Sequence, residues 1–176
     1  MADPYVYNPL SQSGQIRLLD LAPGSGDIHF SLRHVNLDQY PEYEAISYAW
    51  GDPKDTDTVY CDTKSIKITK SLLTCLRRLR GVDQPRVLWA DAVCINQDDI
   101  PEKSEQVKLM SKIYSQPSRI IIWLGDDMTG LEDLQACLRG ALEVLPPGIE
   151  DAHMDAHEFY ETGKTIFREV SVSCFR

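Results

Sequence analysis

Short apolar runs punctuated by turn residues dominate the first 125 positions. Ile16-Arg-Leu-Leu-Asp-Leu21 and Ile28-His-Phe-Ser-Leu-Arg-His-Val35 flank Pro23-Gly24-Ser25-Gly26, a cluster able to reverse an extended chain, so the pattern predicts an N-terminal hairpin. Tyr43-Glu-Ala-Ile-Ser-Tyr-Ala-Trp50 is rich in aromatic and apolar residues and stops at Gly51-Asp52-Pro53, as a central strand would. Thr58-Val-Tyr-Cys61 and Ser65-Ile-Lys-Ile-Thr69 sit either side of Asp62-Thr63-Lys64, and Ile66 and Ile68 alternate with polar neighbours. This predicts a second hairpin at a sheet edge.

Helical spacing then takes over. Leu72, Leu73, Leu76 and Leu79 share a stripe that Thr69 or Ser71 can cap, with arginines near its end and Gly81 beyond. Arg86-Val-Leu-Trp-Ala-Asp91 reads as a buried strand running into a polar loop through Asn96 and Gln97. Asp99, Pro101 and Glu102 have the spacing of a capping box, opening a helix whose Val107, Leu109, Met110, Ile113 and Tyr114 predict burial on a wide front. Arg119-Ile-Ile-Ile-Trp-Leu124 is the most apolar run and is expected at the centre of the sheet. Leu131, Leu134, Cys137 and Leu138 predict one more helix before Pro146-Pro147-Gly148 breaks the chain.

From residue 43 the order is strand, hairpin, helix, strand, helix, strand, helix, the alternation of an α/β layered sheet. The expected fold class is α/β, with mainly parallel central strands flanked by helices and with N-terminal and edge hairpins. Residues 1–145 form the expected domain. Residues 146–176 form an acidic, helical C-terminal segment, and because Arg176 falls inside that helix a longer regulatory region is expected to follow. Ligands of such sheets bind beyond the carboxyl ends of the strands. The loops at Gly51-Asp52, at 92–99 and at Gly125-Asp126-Asp127 would gather there.

Charge narrows the partners. The chain has 27 acidic and 18 basic residues among 176, a net charge of -9. Residues 126–176 hold 11 of the acids and 4 of the bases. That excess disfavours nucleic acid and anionic membrane as partners. The strip Arg77, Arg78, Arg80, Arg86 reads as a solvated helix face. Five widely spaced cysteines without a C-x-x-C pair argue against a disulfide framework or zinc site and favour a reducing, cytoplasmic setting. No apolar run is long enough to span a bilayer. His153 and His157 have a helical metal-ligand spacing but lack the accompanying glutamate, so no metal site is expected.

Four blocks together resemble the heterokaryon incompatibility (HET) domain family of filamentous fungi. They are Ile16-Arg-Leu-Leu-Asp-Leu21; Tyr43-Glu-Ala-Ile-Ser-Tyr-Ala-Trp-Gly-Asp52; Leu88-Trp-Ala-Asp-Ala-Val-Cys-Ile-Asn-Gln97 with Glu102, Gln106, Val107, Met110, Ile113 and Tyr114; and Ile120-Ile-Ile-Trp-Leu-Gly125. They cover about residues 16–140. The chain departs from the family's pattern at Lys103, where arginine is usual, and at Pro117-Ser118, where an alanine commonly follows the helix.

The resemblance implies nonself recognition and programmed cell death on fusion of incompatible strains, with self-association or another incompatibility protein as partner. It also implies remote kinship with TIR domains, several branches of which hydrolyse NAD. On that reading NAD is the substrate and no cofactor is resident. A carboxylate beside the ribose would stabilise the oxocarbenium-like transition state, and nicotinamide leaves neutral, so no strong general acid is needed. Mapping the strands onto the TIR arrangement points to Glu132 as catalytic, with Asp91, at the end of an apolar strand, as the other catalytic candidate. Trp50 could stack on a nicotinamide or adenine ring, and Asp52, Asn96 and Gln97 complete the candidate binding set. Glu102 and Glu105 read as helix acids, and Cys94 as a buried structural thiol. The competing expectation is a non-enzymatic signalling module that works by self-association. A phosphate-accepting receiver domain fits less well, because its acidic pair and lysine are not placed together.

Overall fold

The structure, a computed structural model, describes residues 2–123, Gly125 and the backbone of 166–168. Both expected hairpins form. β1 (Gln15–Leu21) pairs antiparallel with β2 (His29–Asn36), and β4 (Thr56–Cys61) with β5 (Lys64–Thr69). β3 (Glu44–Tyr48), β6 (Arg86–Trp89) and β7 (Arg119–Trp123) form a parallel group in which β3 lies between the other two. With β8 (Ile166–Arg168) the strands make one sheet in the order β5-β4-β2-β1-β6-β3-β7-β8.

Around the expected parallel group the sheet is mixed, because besides the two hairpins β1–β6 and β7–β8 are antiparallel. One expectation is corrected: β7 is not at the centre of the sheet. The N-terminal hairpin enters the sheet by pairing β1 with β6, Leu19 opposite Leu88, and this pushes the parallel group to one side. The middle is therefore β1 and β6. Ile16, Leu18, Leu19 and Leu21 are all buried, as a strand covered on both faces requires. Of residues 146–176 only 166–168 are described, and they form strand rather than helix. The expected helix around Leu134 lies outside the described residues.

The helices follow their caps. Thr69 accepts the Leu72 N–H at 3.4 Å at the start of α1 (Lys70–Leu79), whose buried stripe contains Leu72, Leu73, Cys75, Leu76 and Leu79. Ser71, the other candidate cap, instead donates to the Ala49 carbonyl at 2.7 Å and fastens the exit of β3. Residues Asp91–Cys94 make a helical turn, α2, where loop was expected. Asp99 accepts the Glu102 N–H at 3.0 Å at the start of α3 (Ile100–Ser115). The buried front expected for α3 forms in part: Ile113 is buried and Leu109, Met110 and Tyr114 pack half-buried against the core, whereas Val107 is 52% exposed. The docking stripe of α3 starts with polar Glu102 and Gln106, which an apolar count cannot detect. Tyr43 Oη to the Ile113 carbonyl (2.6 Å) and Tyr114 Oη to the Ile46 carbonyl (3.1 Å) hold its C-terminal half on β3.

Arg17 is fully buried in the middle of β1. Its guanidinium forms a two-pronged pair with Glu102, Nη1 to Oε1 at 2.6 Å and Nη2 to Oε2 at 2.9 Å. It also donates to the carbonyls of Cys94 (3.2 Å) and Asn8 (2.6 Å), and lies 4.9 Å from the centre of the Tyr7 ring. Glu102 therefore does not complete a reciprocal capping box. Its carboxylate takes Arg17 and the Asn96 N–H at 2.8 Å instead. Residues before β1 cross the sheet to reach this point: Tyr5 N–H donates to the Ser65 carbonyl at 2.7 Å on β5, and Tyr7 Oη donates to the Val93 carbonyl at 2.9 Å on α2.

Breaking a buried pair strands the remaining charge, at a cost of about 3–5 kcal/mol. Arg17→Met should accordingly lower the unfolding free energy by about that amount in urea titrations. The double variant Arg17→Met/Glu102→Leu should recover part of the loss. Burial raises the Glu102 pKa, but hydrogen bonds from Arg17 and the Asn96 N–H, with the Arg17 charge, outweigh it and leave the pKa below its ordinary 4.5. The folded state thus holds this carboxylate ionised where the unfolded chain would protonate it. The resulting stability is present above pH 4.5 and is lost as pH falls through the lowered folded value. Thermal unfolding across pH 2.5–7, about the span of a carboxylate titration, should show a shallower acid limb for Glu102→Gln.

Candidate functional site

Because β3, β6 and β7 are parallel neighbours, Tyr48, Trp89 and Trp123 end at one edge of the sheet, where Gly51 and Gly125 turn with φ of 74° and 93°. Asp91 and Trp50 meet there. β3 stops at Tyr48, so Trp50 stands outside the strand and is 36% exposed. Its indole Nε1 donates to both carboxylate oxygens of Asp91, at 3.0 Å and 2.9 Å, and the Ala92 N–H donates to Oδ1 at 2.8 Å. The buried Tyr48 hydroxyl sits within reach of the same carboxylate but short of hydrogen-bond geometry.

Gln97 joins the cluster from behind. Its Nε2 donates to the Asp91 carbonyl at 2.9 Å and to the Ile95 carbonyl at 3.4 Å, which closes the loop after β6, while its buried Oε1 has no partner among the described residues. Burial pushes the Asp91 pKa above its ordinary value, against the lowering effect of Trp50, the Ala92 N–H and Tyr48. Burial and the neighbouring Asp91 charge push the Tyr48 hydroxyl far up, so it stays protonated as a donor. Among the described residues no ion pair reaches Asp91. The result is a partly desolvated carboxylate held by neutral donors, an arrangement able to receive a cation or a developing positive charge.

The other sequence-derived candidates separate. Asp52 caps its own turn, accepting the Lys54 N–H at 2.9 Å. Asn96 faces Glu102 through its N–H and accepts from the Asp98 N–H at 3.3 Å, away from the Asp91 carboxylate. Glu132 and the His153/His157 pair lie outside the described residues. Glu105 pairs with Lys108 on the helix surface. Cys94 is fully buried, accepts from the Ala90 N–H at 3.4 Å, and burial pushes its thiol up to about 12, which makes it inert as a nucleophile. A cleft of about 420 Å³ opens elsewhere, between residues 9–15 and the first half of α3, with Asp99, Glu102 and Gln106 in its wall.

Tyr48 and Arg17 were missed in the sequence. Tyr48 had a usable signal, since it follows Ile46 on one face of the strand at the period of two and precedes Trp50 by two positions. Arg17 had a weaker one, a lone cation inside an apolar strand.

Among the described residues no helix is long and apolar enough to cross a membrane, and no three His, Cys, Asp or Glu side chains gather as a metal-binding group. No solved structure matches the chain. Residues 43–166 match the family model described as heterokaryon incompatibility protein. Heterokaryon incompatibility protein 6, OR allele, of Neurospora crassa is 38% identical over 143 aligned positions, which cover 70% of this chain and 21% of that protein. The chain thus spans about a fifth of the length of this relative. With a family match that runs from β3 to the start of β8 and a relative of this similarity, the chain belongs to the heterokaryon incompatibility (HET) family.

Proposed function

We propose that this domain acts in heterokaryon incompatibility, the fungal rejection of nonself that ends in programmed cell death, and that it does so by cleaving the nicotinamide–ribose bond of NAD. The observation that carries the chemical part is the Asp91 carboxylate at the strand-end edge of the parallel group, partly desolvated and free of any ion pair among the described residues. Its negative charge would stabilise the ribosyl cation as the bond to nicotinamide breaks. Trp50 and Tyr48 would flank the substrate at Asp91, and Gln97 would keep the loop bearing Asp91 in place. Glu132 remains the alternative carboxylate on the TIR-like reading. The buried free thiols of Cys61, Cys75 and Cys94 fit a cytoplasmic setting.

A second reading, self-association without chemistry, draws on α3. Ile100 and Val107 lie two turns apart and are 74% and 52% exposed. The two readings combine if assembly completes the site.

Nicotinamide release from NAD, followed at rising protein concentration, should climb faster than linearly. Asp91→Asn should reduce it by about a hundredfold or more, the scale seen when a transition-state charge contact is removed. A loss in Glu132→Ala with Asp91→Asn unimpaired would move the role to Glu132. No release from folded, self-associating protein would leave the assembly reading. Stability should move the opposite way. A raised carboxylate pKa means that ionised Asp91 costs folding free energy at neutral pH, and that its contribution improves as pH falls through the folded value. Asp91→Asn should therefore unfold at the same or a higher urea concentration than the parent at pH 7, taken as about neutral.

A further inference from the structure

The bond between Trp50 and Asp91 uses the face of the carboxylate that a ligand would need. Oδ1 takes the indole N–H and the Ala92 N–H, and Oδ2 takes the same indole N–H. The indole is the exposed member of this set, whereas the Ala92 N–H is fixed in the backbone of α2. Around Trp50 the chain is pinned on both sides but not at the residue itself. The Ala49 carbonyl is held by Ser71, and the turn at Asp52 by the Lys54 and Asp55 N–H groups. Between them Gly51 adopts φ 74°, with Ser71 Cβ 3.6 Å from where a Cβ would stand, so the residue after the indole is a permissive joint. Tyr48, buried and short of hydrogen-bond geometry to the carboxylate, supplies a second donor that can complete a bond when the indole leaves.

We propose that Trp50 is a latch on Asp91: in the free domain its indole N–H closes the carboxylate, and opening swings the ring out at Gly51 and hands the carboxylate to Tyr48 and to an incoming ligand. The two arrangements exchange one hydrogen bond for another, so they differ little in energy, as a bistable element must. A ligand that offers Asp91 a positive or hydrogen-bonding group binds the open form alone and shifts the population toward it. The latch concerns access to Asp91 and rests on that carboxylate being the working one. Its test does not depend on turnover.

The experiment is carbodiimide-driven coupling of an amine to carboxyl groups in the full chain, read peptide by peptide by mass spectrometry, with Asp20, Asp52 and Asp55 as internal references. Trp50→Phe keeps a ring but removes the N–H. It should raise Asp91 coupling by about tenfold, the shift expected when a hydrogen bond to a charged group is lost, with the references unchanged. Tyr48→Phe should hold Asp91 coupling at or below the parental level. Unchanged Asp91 coupling in Trp50→Phe overturns the latch. If all carboxylates rise together the variant has unfolded, and the parent protein then decides. The Trp50 indole N–H must exchange with solvent faster than that of Trp89, which is buried and shielded until the core opens. Equal rates overturn the latch as well. If the latch survives while nicotinamide release is absent, only the NAD reading fails.

Discussion

A fully buried guanidinium must find partners for its charge, and in this fold three separate pieces of chain converge on the two terminal nitrogens of Arg17, while its Nε has no partner among the described residues. β1 supplies the side chain. The N-terminal arm brings the Asn8 carbonyl and the Tyr7 ring, α2 brings the Cys94 carbonyl, and α3 brings Glu102. None of these pieces could shift far without exposing a charge to a dry interior. Hydrophobic burial supplies most of the driving force for such a sheet, but it tolerates sliding and repacking. A two-pronged ion pair does not, and it selects one register of α3 against β1. Gln106, one helical turn further on, repeats the polar contact by donating to the Gln15 carbonyl at 2.9 Å.

From that pair the constraint passes to the site through backbone. Glu102 accepts the Asn96 N–H, Arg17 takes the carbonyl at the end of α2, and Gln97 closes the loop on the carbonyls of Asp91 and Ile95. The segment from Asp91 to Gln97 is thereby fastened from below, with the Asp91 carboxylate left on the outer side. Two carboxylates in one short stretch of chain end with opposite shifts for a clear reason. Glu102 faces a guanidinium and is held ionised, whereas Asp91 meets only neutral donors and is pushed toward its proton by burial. Glu102's charge is already spent on the fold. Asp91's is matched by no cation among the described residues, so burial raises its pKa where the guanidinium lowers that of Glu102.

What the sequence made legible was what local pattern encodes. Both hairpins, the strands at β3, β6 and β7, and the caps at Thr69 and Asp99 follow from turn residues, alternation and capping chemistry acting over a few positions. The convergence of three strand ends was legible too, because parallel order follows from the helical crossovers. The lateral position of β7 was not, since nothing local announces that β1 will pair with β6 and claim the centre. The start of the α3 docking stripe was not legible for a related reason: it is built from Glu102 and Gln106, whose burial depends on Arg17 and on the Gln15 carbonyl more than eighty residues away. Within the site, Asp91 could be read from its place after an apolar strand. Its partnership with Trp50 and Tyr48 depends on the lateral contact of β3 with β6 and had to be seen.

The family match begins at residue 43, yet the fold unit does not. β6 takes β3 on one side and β1 on the other, with Leu88 opposite Leu19 and Val87 opposite Asp20. Remove β1 and a central apolar strand becomes an unprotected edge, a form that sheets avoid because it invites pairing with other chains. Removing β1 also removes Arg17, leaving the Glu102 carboxylate, only 8% exposed, without its cation. Both losses fall on the loop that carries Asp91. The N-terminal hairpin is therefore a component of the scaffold that holds the Asp91 loop. The family-defining segment holds the candidate chemistry, and the hairpin ahead of it holds the charge that keeps that chemistry in place.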